Sequence, residues 1–167
     1  MLTGGEAHDC PAGAELVLQT KPGKTLLGDP AAPQSAPVPI NPPAVTQRFT
    51  CFLDELDGSL APRSQVTADG MVFLKGWGAF DAQAGIGADR AQFAFISASG
   101  AAWAVPVTIV RQDGIGDHFG HTGLLNVGML AQADTSRLPA GAYQGEFVFE
   151  HSGQHVACAT VLKIIVP

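Results

Sequence analysis

Charge is scarce in this chain and basic charge scarcer still. Only 14% of the 167 residues are charged, with 9 Lys/Arg against 15 Asp/Glu for a net charge of −6. No stretch clusters Lys and Arg, so a phosphate backbone would be repelled rather than gripped, which sets a nucleic-acid partner aside. Long apolar runs are missing too. Nothing approaches the roughly 18 to 20 residues that span a bilayer as a helix, and no membrane span is expected. The opening MLTGGEAHDC has neither a basic n-region nor an apolar h-region, which leaves a cytosolic protein or an exported one whose leader is not part of this sequence. There is no Gly-x-Ser-x-Gly, and serines near histidines, such as Ser152, fall on tight turns with no third triad member. Nucleophilic catalysis therefore has no support. Only three cysteines occur, Cys10, Cys51 and Cys158, enough for one disulfide and one thiol left over.

What the chain does have is apolar residues. They make up 46% of it, enough for one well-cored domain. A helical period of any length is absent, and short alternating runs take its place. Residues 1–27 hold one such run, Ala14 to Thr20. From Gly28 to Val45, six prolines (GDPAAPQSAPVPINPPAV) predict an extended polyproline connector. The expected organisation is an N-terminal arm with one strand at 1–27, a proline-rich connector at 28–46 and a β domain at 47–167.

Within that domain, Phe49, Cys51 and Leu53 share one strand face, and Phe93 and Phe95 another. Trp103, Val105, Val107 and Ile109 alternate with Ala104, Pro106 and Thr108; Pro106 lacks a ladder donor and predicts a sheet edge. Tyr143, Gly145, Phe147 and Phe149 alternate with polar residues, and Val156, Cys158, Leu162 and Ile164 form one side of the last strand. The stretch MVFLKGWGAFD, Met71 to Asp81, is the strand around which these would stack. Strict alternation there puts Lys75 beside Phe73 and Trp77, and a bulge at Gly76 would turn Trp77 toward the core. About seven strands separated by turns predict an all-β, antiparallel two-sheet β-sandwich.

Several short motifs carry a family resemblance. Phe52 to Gly58 (FLDELDG), Gly76-Trp77-Gly78-Ala79-Phe80-Asp81, Arg111 to Gly120 (RQDGIGDHFG) and Leu138-Pro139-Ala140-Gly141-Ala142-Tyr143 occur in the order seen in bacterial extracytoplasmic, Ig-like β-sandwich modules. Those modules follow a GWAxD…RPDV…FG…LPxGxY pattern and are often appended to cell-envelope glycosyltransferase-like proteins. The chain resembles them over about residues 49–166. It departs from the pattern where Gly78 is inserted, where Gln112 stands for a proline and where Leu124 stands for Phe. The resemblance implies a noncatalytic accessory module, periplasmic or extracellular, with no family active site.

Candidate chemistry lies mostly in loops. His118 with His121 and His151 with His155 are close pairs of the kind that, with a carboxylate such as Asp117, ligate zinc or copper; the alternative is solvated loop histidines. Asp54, Asp57, Asp81, Asp113 and Asp117 could offer oxygens to calcium, but none fits EF-hand spacing, and Asp57 and Asp113, each before a glycine, have turn roles as the alternative. Trp77, Trp103 and Tyr143, with Asp81, could form a sugar-stacking platform or be core. Cys51 and Cys158 could be bridged or be two buried thiols. The expected function is noncatalytic binding of envelope carbohydrate or a partner protein, with no cofactor. A structural subunit that lends residues 14–20 to a neighbour's sheet in a homo-oligomer is the alternative, and a metal-dependent enzyme is third.

Overall fold

The structure is a computed structural model, and it describes residues 34–42, 44–47, 50–56, 59–60 and 65–167. The arm at 1–27 with its expected strand at 14–20, Cys10, Phe49 and Asp57 lie outside the described residues. What is described is nearly all β.

Seven strands have six residues or more: β4 (Cys51–Leu56), β7 (Met71–Gly78), β8 (Arg90–Ser97), β9 (Ala102–Val110), β10 (Gly128–Asp134), β11 (Gly141–His151) and β12 (Gln154–Val166). All but β10 are runs that alternation marks out; β10 overlaps the apolar stretch 123–133. Five strands of two or three residues join them: β1 (Gln34–Ser35), β2 (Val38–Ile40), β3 (Val45–Gln47), β5 (Ser59–Leu60) and β6 (Gln65–Thr67). Such short strands show no period and are invisible to pattern reading. The main path of the sheet runs β3-β12-β11-β8-β9-β10-β7-β4-β5, curled into a half-barrel.

Every pairing among the seven long strands is antiparallel. The sheet as a whole is mixed, which corrects the purely antiparallel expectation, because β1 joins β10 and β3 and β6 join β12 in parallel.

Strand β9 gives the sheet its curl. Its residues 102–107 pair with β8, whereas Thr108, Ile109 and Val110 pair with β10 on the other side. A strand that changes neighbours along its length turns a corner between two parts of a sheet. It also opens a cleft on each side. The cleft between the first half of β9 and the second half of β10 is filled by residues 34–40: β2 runs antiparallel to Ala102–Ala104 and β1 runs parallel to Gln132–Ala133. The described part of the proline-rich connector thus folds back onto its own sheet. Pro106 is not on an edge strand, since β9 is interior. It sits between the stretch paired by β2 and the stretch paired by β10, where a missing N–H costs no ladder bond.

The interior is built from alternate residues. Phe93, Phe95, Phe147 and Phe149 are each at most 1% exposed, with Val72, Leu74, Val105, Met129 and Ile164 around them. Phe93 meets Phe95 and Phe147 edge-on, each at 5.2 Å between centroids, the geometry aromatic quadrupoles favour. Burying each such ring stabilises the fold by about 1.5 to 3 kcal/mol. The opposing strand β7 meets them with glycine: a β-carbon on Gly78 would lie 2.3 Å from Cζ of Phe149, and one on Gly76 would lie 3.1 Å from Cζ of Phe147 and 2.3 Å from the Phe52 carbonyl oxygen.

Alternation in β7 is therefore unbroken, with Val72, Leu74, Gly76 and Gly78 inward and Phe73, Lys75 and Trp77 outward and half-buried. The bulge expected at Gly76 is absent. The extra residue is on the neighbouring strand, where Leu53 pairs with Gly76 and Glu55 with Lys75, so that Asp54 is the residue without a partner.

Two further contacts fix the ends. The Tyr143 hydroxyl donates to the Pro139 carbonyl at 2.5 Å, tying the LPAGAY turn to the start of β11. Cys51 of β4 and Cys158 of β12 are joined by a disulfide, Cα to Cα 6.1 Å. It links strands near opposite ends of the sheet order and holds the curl shut.

Candidate ligand-binding groove

The second cleft left by β9 lies on the β8 side of Thr108–Val110, where β8 has already ended its pairing at Ala91 with Val107. A groove of about 400 Å³ opens there, between β8, β9, β11 and β12. That volume falls within the range of about 300 to 1,000 Å³ typical of small-molecule sites. Its floor is apolar and draws on both faces of the sheet, Pro106 and Val148 from the outer one and Val107 and Ile109 from the core one. Asp89, Arg90, Gln92, Glu150 and His155 supply polar groups. Strand alternation places them: Arg90 and Gln92 point outward from β8 because Ala91 and Phe93 point in, and Glu150 points outward from β11 because Phe149 points in.

Electrostatics organise the rim. Asp89 accepts from the Ser152 amide at 2.9 Å and lies 3.3 Å from Nδ1 of His151. The backbone bond first, then the imidazole, hold its carboxyl below the usual carboxylate range. His155 Nε2 stands 3.6 Å from a Glu150 oxygen. Arg90 forms no ion pair among the described residues, and its charge also helps to lower the Asp89 carboxyl.

On the same outer face, further along β11, Glu146 is only 7% exposed beside the Ala94, Ala104, Val148 and Ala157 cluster. Its Oε2 has no hydrogen-bond partner, and burial pushes its carboxyl up from the ordinary value. Next to it the ladder slips between Gln144 and Glu146. Thr160 donates its hydroxyl to the Gly145 carbonyl at 2.8 Å, and the Gln144 side-chain amide donates to the Thr160 carbonyl.

The residues singled out by sequence are scattered. Trp77 lies on the outer face of β7 against Phe119, centroids 6.0 Å apart. Asp81 accepts from the Ala84 amide at 3.0 Å and closes the turn to Ile86. Trp103 packs edge-on against Tyr143 at 5.8 Å, and Tyr143 is 2% exposed. These four form no common platform.

Nor do the histidines converge. His121 places Nε2 2.7 Å from the Gln83 carbonyl, pinning the 81–86 turn to the long loop, while His118 is exposed and edge-on to Phe119. His151 packs against Phe80 and pairs with Asp89. Among the described residues no group of three or more His, Cys, Asp or Glu is placed to hold a metal ion.

Of the sequence candidates only His155 lines the groove. Asp89, Arg90, Gln92 and Glu150 escape pattern reading because they come from β8, the residue just before it, and β11, which are not consecutive strands. The one signal available was the polar half of each alternating strand. Comparison with protein-family models, curated proteins and solved structures finds no match.

Proposed function

We propose that this chain is a noncatalytic, extracytoplasmic binding module whose ligand, an envelope carbohydrate or a segment of a partner protein, occupies the groove beside β9. The groove carries the reading: it is a concave site with an apolar floor and convergent polar groups, the usual make-up of a binding pocket.

Three observations support the finer reading of an Ig-like sandwich related to the bacterial accessory modules. The long strands follow the order β12-β11-β8-β9-β10-β7-β4, in which β9 pairs with β8 along its first part and with β10 along its last three residues. Tyr143 opens the sixth long strand and bonds to backbone four residues upstream, as the tyrosine corner of such sandwiches does. The LPAGAY turn that creates this bond is one of the family-like motifs. The Cys51–Cys158 bridge favours an oxidising compartment, where disulfides persist. No helix among the described residues is long and apolar enough to cross a membrane.

The test is calorimetric titration of the protein with envelope polysaccharide fragments and with peptides, repeated on Gln92→Ala and Glu150→Ala. Saturable binding weakened about tenfold by either substitution is expected. Binding that ignores both substitutions, or no binding to either ligand class, would sink the reading.

A further inference from the structure

The two clefts beside β9 have a common origin but different contents. One is occupied by an extended segment of the chain itself, residues 34–40, paired with β9 and β10. The other exposes the β8 side of Thr108–Val110, which no strand pairs among the described residues. Backbone N–H and C=O groups on such an edge need partners, and an unpaired edge is a template for strand addition.

The walls match that use. Val107 and Ile109, which pack against the main core, offer apolar surface to one side of an incoming strand, while Arg90, Gln92 and Glu150 line the other with Pro106 and Val148. Asp89 and Glu150 outnumber Arg90, so the rim is negative by one charge when His155 is neutral. The lining includes no Phe, Tyr or Trp on which a sugar ring could stack.

We infer that the open cleft is a peptide-binding site, taking an extended segment of a partner protein that pairs along Thr108–Val110. Apolar side chains at every second position of the segment face Val107 and Ile109, and a Lys or Arg at an alternate position lies beside Glu150. This deepens the binding-module reading and rests on it. Residues 34–40 are the internal precedent: an extended, proline-containing segment satisfies the twin cleft through short ladders of two and three residue pairs.

The probe is a phage-displayed library of random heptapeptides selected on the 167-residue chain, with enriched peptides then synthesised and titrated by amide NMR. Enrichment of alternating apolar sequences carrying Lys or Arg is expected, with shifts centred on Thr108–Val110 and Arg90–Gln92. Methylation of alternate peptide nitrogens should weaken binding at least tenfold. Glu150→Lys, a change at a partly exposed side chain, should turn selection toward Asp and Glu.

No enrichment, peptides that map elsewhere, or indifference to N-methylation would overturn the inference. If an envelope polysaccharide saturates the groove and peptides do not, the binding module stands and its peptide class falls. If neither binds, both fall. Peptide competition that appears only after Leu16→Asp/Leu18→Asp is introduced would instead assign the cleft to the chain's own N-terminal arm.

Discussion

Gly78 of β7 and Phe149 of β11 occupy the same space from opposite sides of the interior: a β-carbon on the glycine would stand 2.3 Å from the ring's Cζ. The absent side chain is what lets the ring lie on the β7 backbone. Gly78→Ala should cost about 1 to 3 kcal/mol through overpacking, read by denaturant unfolding. Gly78→Ala with Phe149→Leu should lose less than the sum of the two single changes, because the smaller side chain vacates the clash. Strict additivity would show that the two residues do not press on each other.

The Cys51–Cys158 bridge spans 107 residues. Bridges typically stabilise a fold by about 2 to 4 kcal/mol, and chain-entropy reasoning puts a loop this long at or slightly above the top of that range. Replacing both cysteines by serine should lower unfolding stability by that amount and make it insensitive to reductant, whereas the parent protein should lose stability on reduction. A parent that unfolds identically with and without reductant would refute the claim that this bond holds the curl.

Glu146 should make the protein less stable at neutral pH than it is in mild acid. Burial raises its folded-state pKa above the ordinary 4.5, so between those two values the folded chain binds more protons than the unfolded chain. Stability contributed by this group is therefore full below the unfolded pKa, falls as pH rises through the folded pKa, and is flat beyond. Glu146→Met removes an acceptor that has no partner and should raise stability at pH 7 by about 1 kcal/mol. The gain should vanish below about pH 4, where the carboxyl is protonated in both states. A gain independent of pH, or a loss at pH 7, would contradict the assignment.

Tyr143→Phe should cost about 0.5 to 1.5 kcal/mol, the usual worth of one hydrogen bond, with circular dichroism unchanged. The Pro139 carbonyl loses its donor at 2.5 Å, while the ring keeps its packing against Trp103 and Phe95. Unaltered stability would mean that the corner does not depend on this bond.

Much of the sheet was legible because inward and outward residues alternate. Phe93, Phe95, Phe147, Phe149, Cys158 and Ile164 all lie inside as the two-residue period places them. The period cannot say which of two neighbouring strands carries an extra residue. The bulge therefore falls at Asp54, one strand away from the Gly76 that a single-strand reading selects. Lys75 needs no rescue, since it lies with Phe73 and Trp77 on the outer face. Pro106 shows a second limit: a missing donor marks a strand flank without a ladder partner, and here that flank is a gap beside a central strand, opposite the side on which Pro106 pairs with Gln92. The groove was illegible for a third reason. It exists only because β9 leaves β8 for β10, and change of neighbour is a property of pairing that no run of residues displays.

Amide chemical-shift mapping of the labelled protein during titration with a selected peptide or an envelope polysaccharide tests the binding groove most directly. Saturable shifts confined to Arg90–Gln92, Val107–Val110 and Glu150 are predicted, with the Trp77 and Phe119 surface unmoved. Saturable shifts centred on Trp77 and Phe119, or no saturable shift with any ligand of either class, would contradict the account.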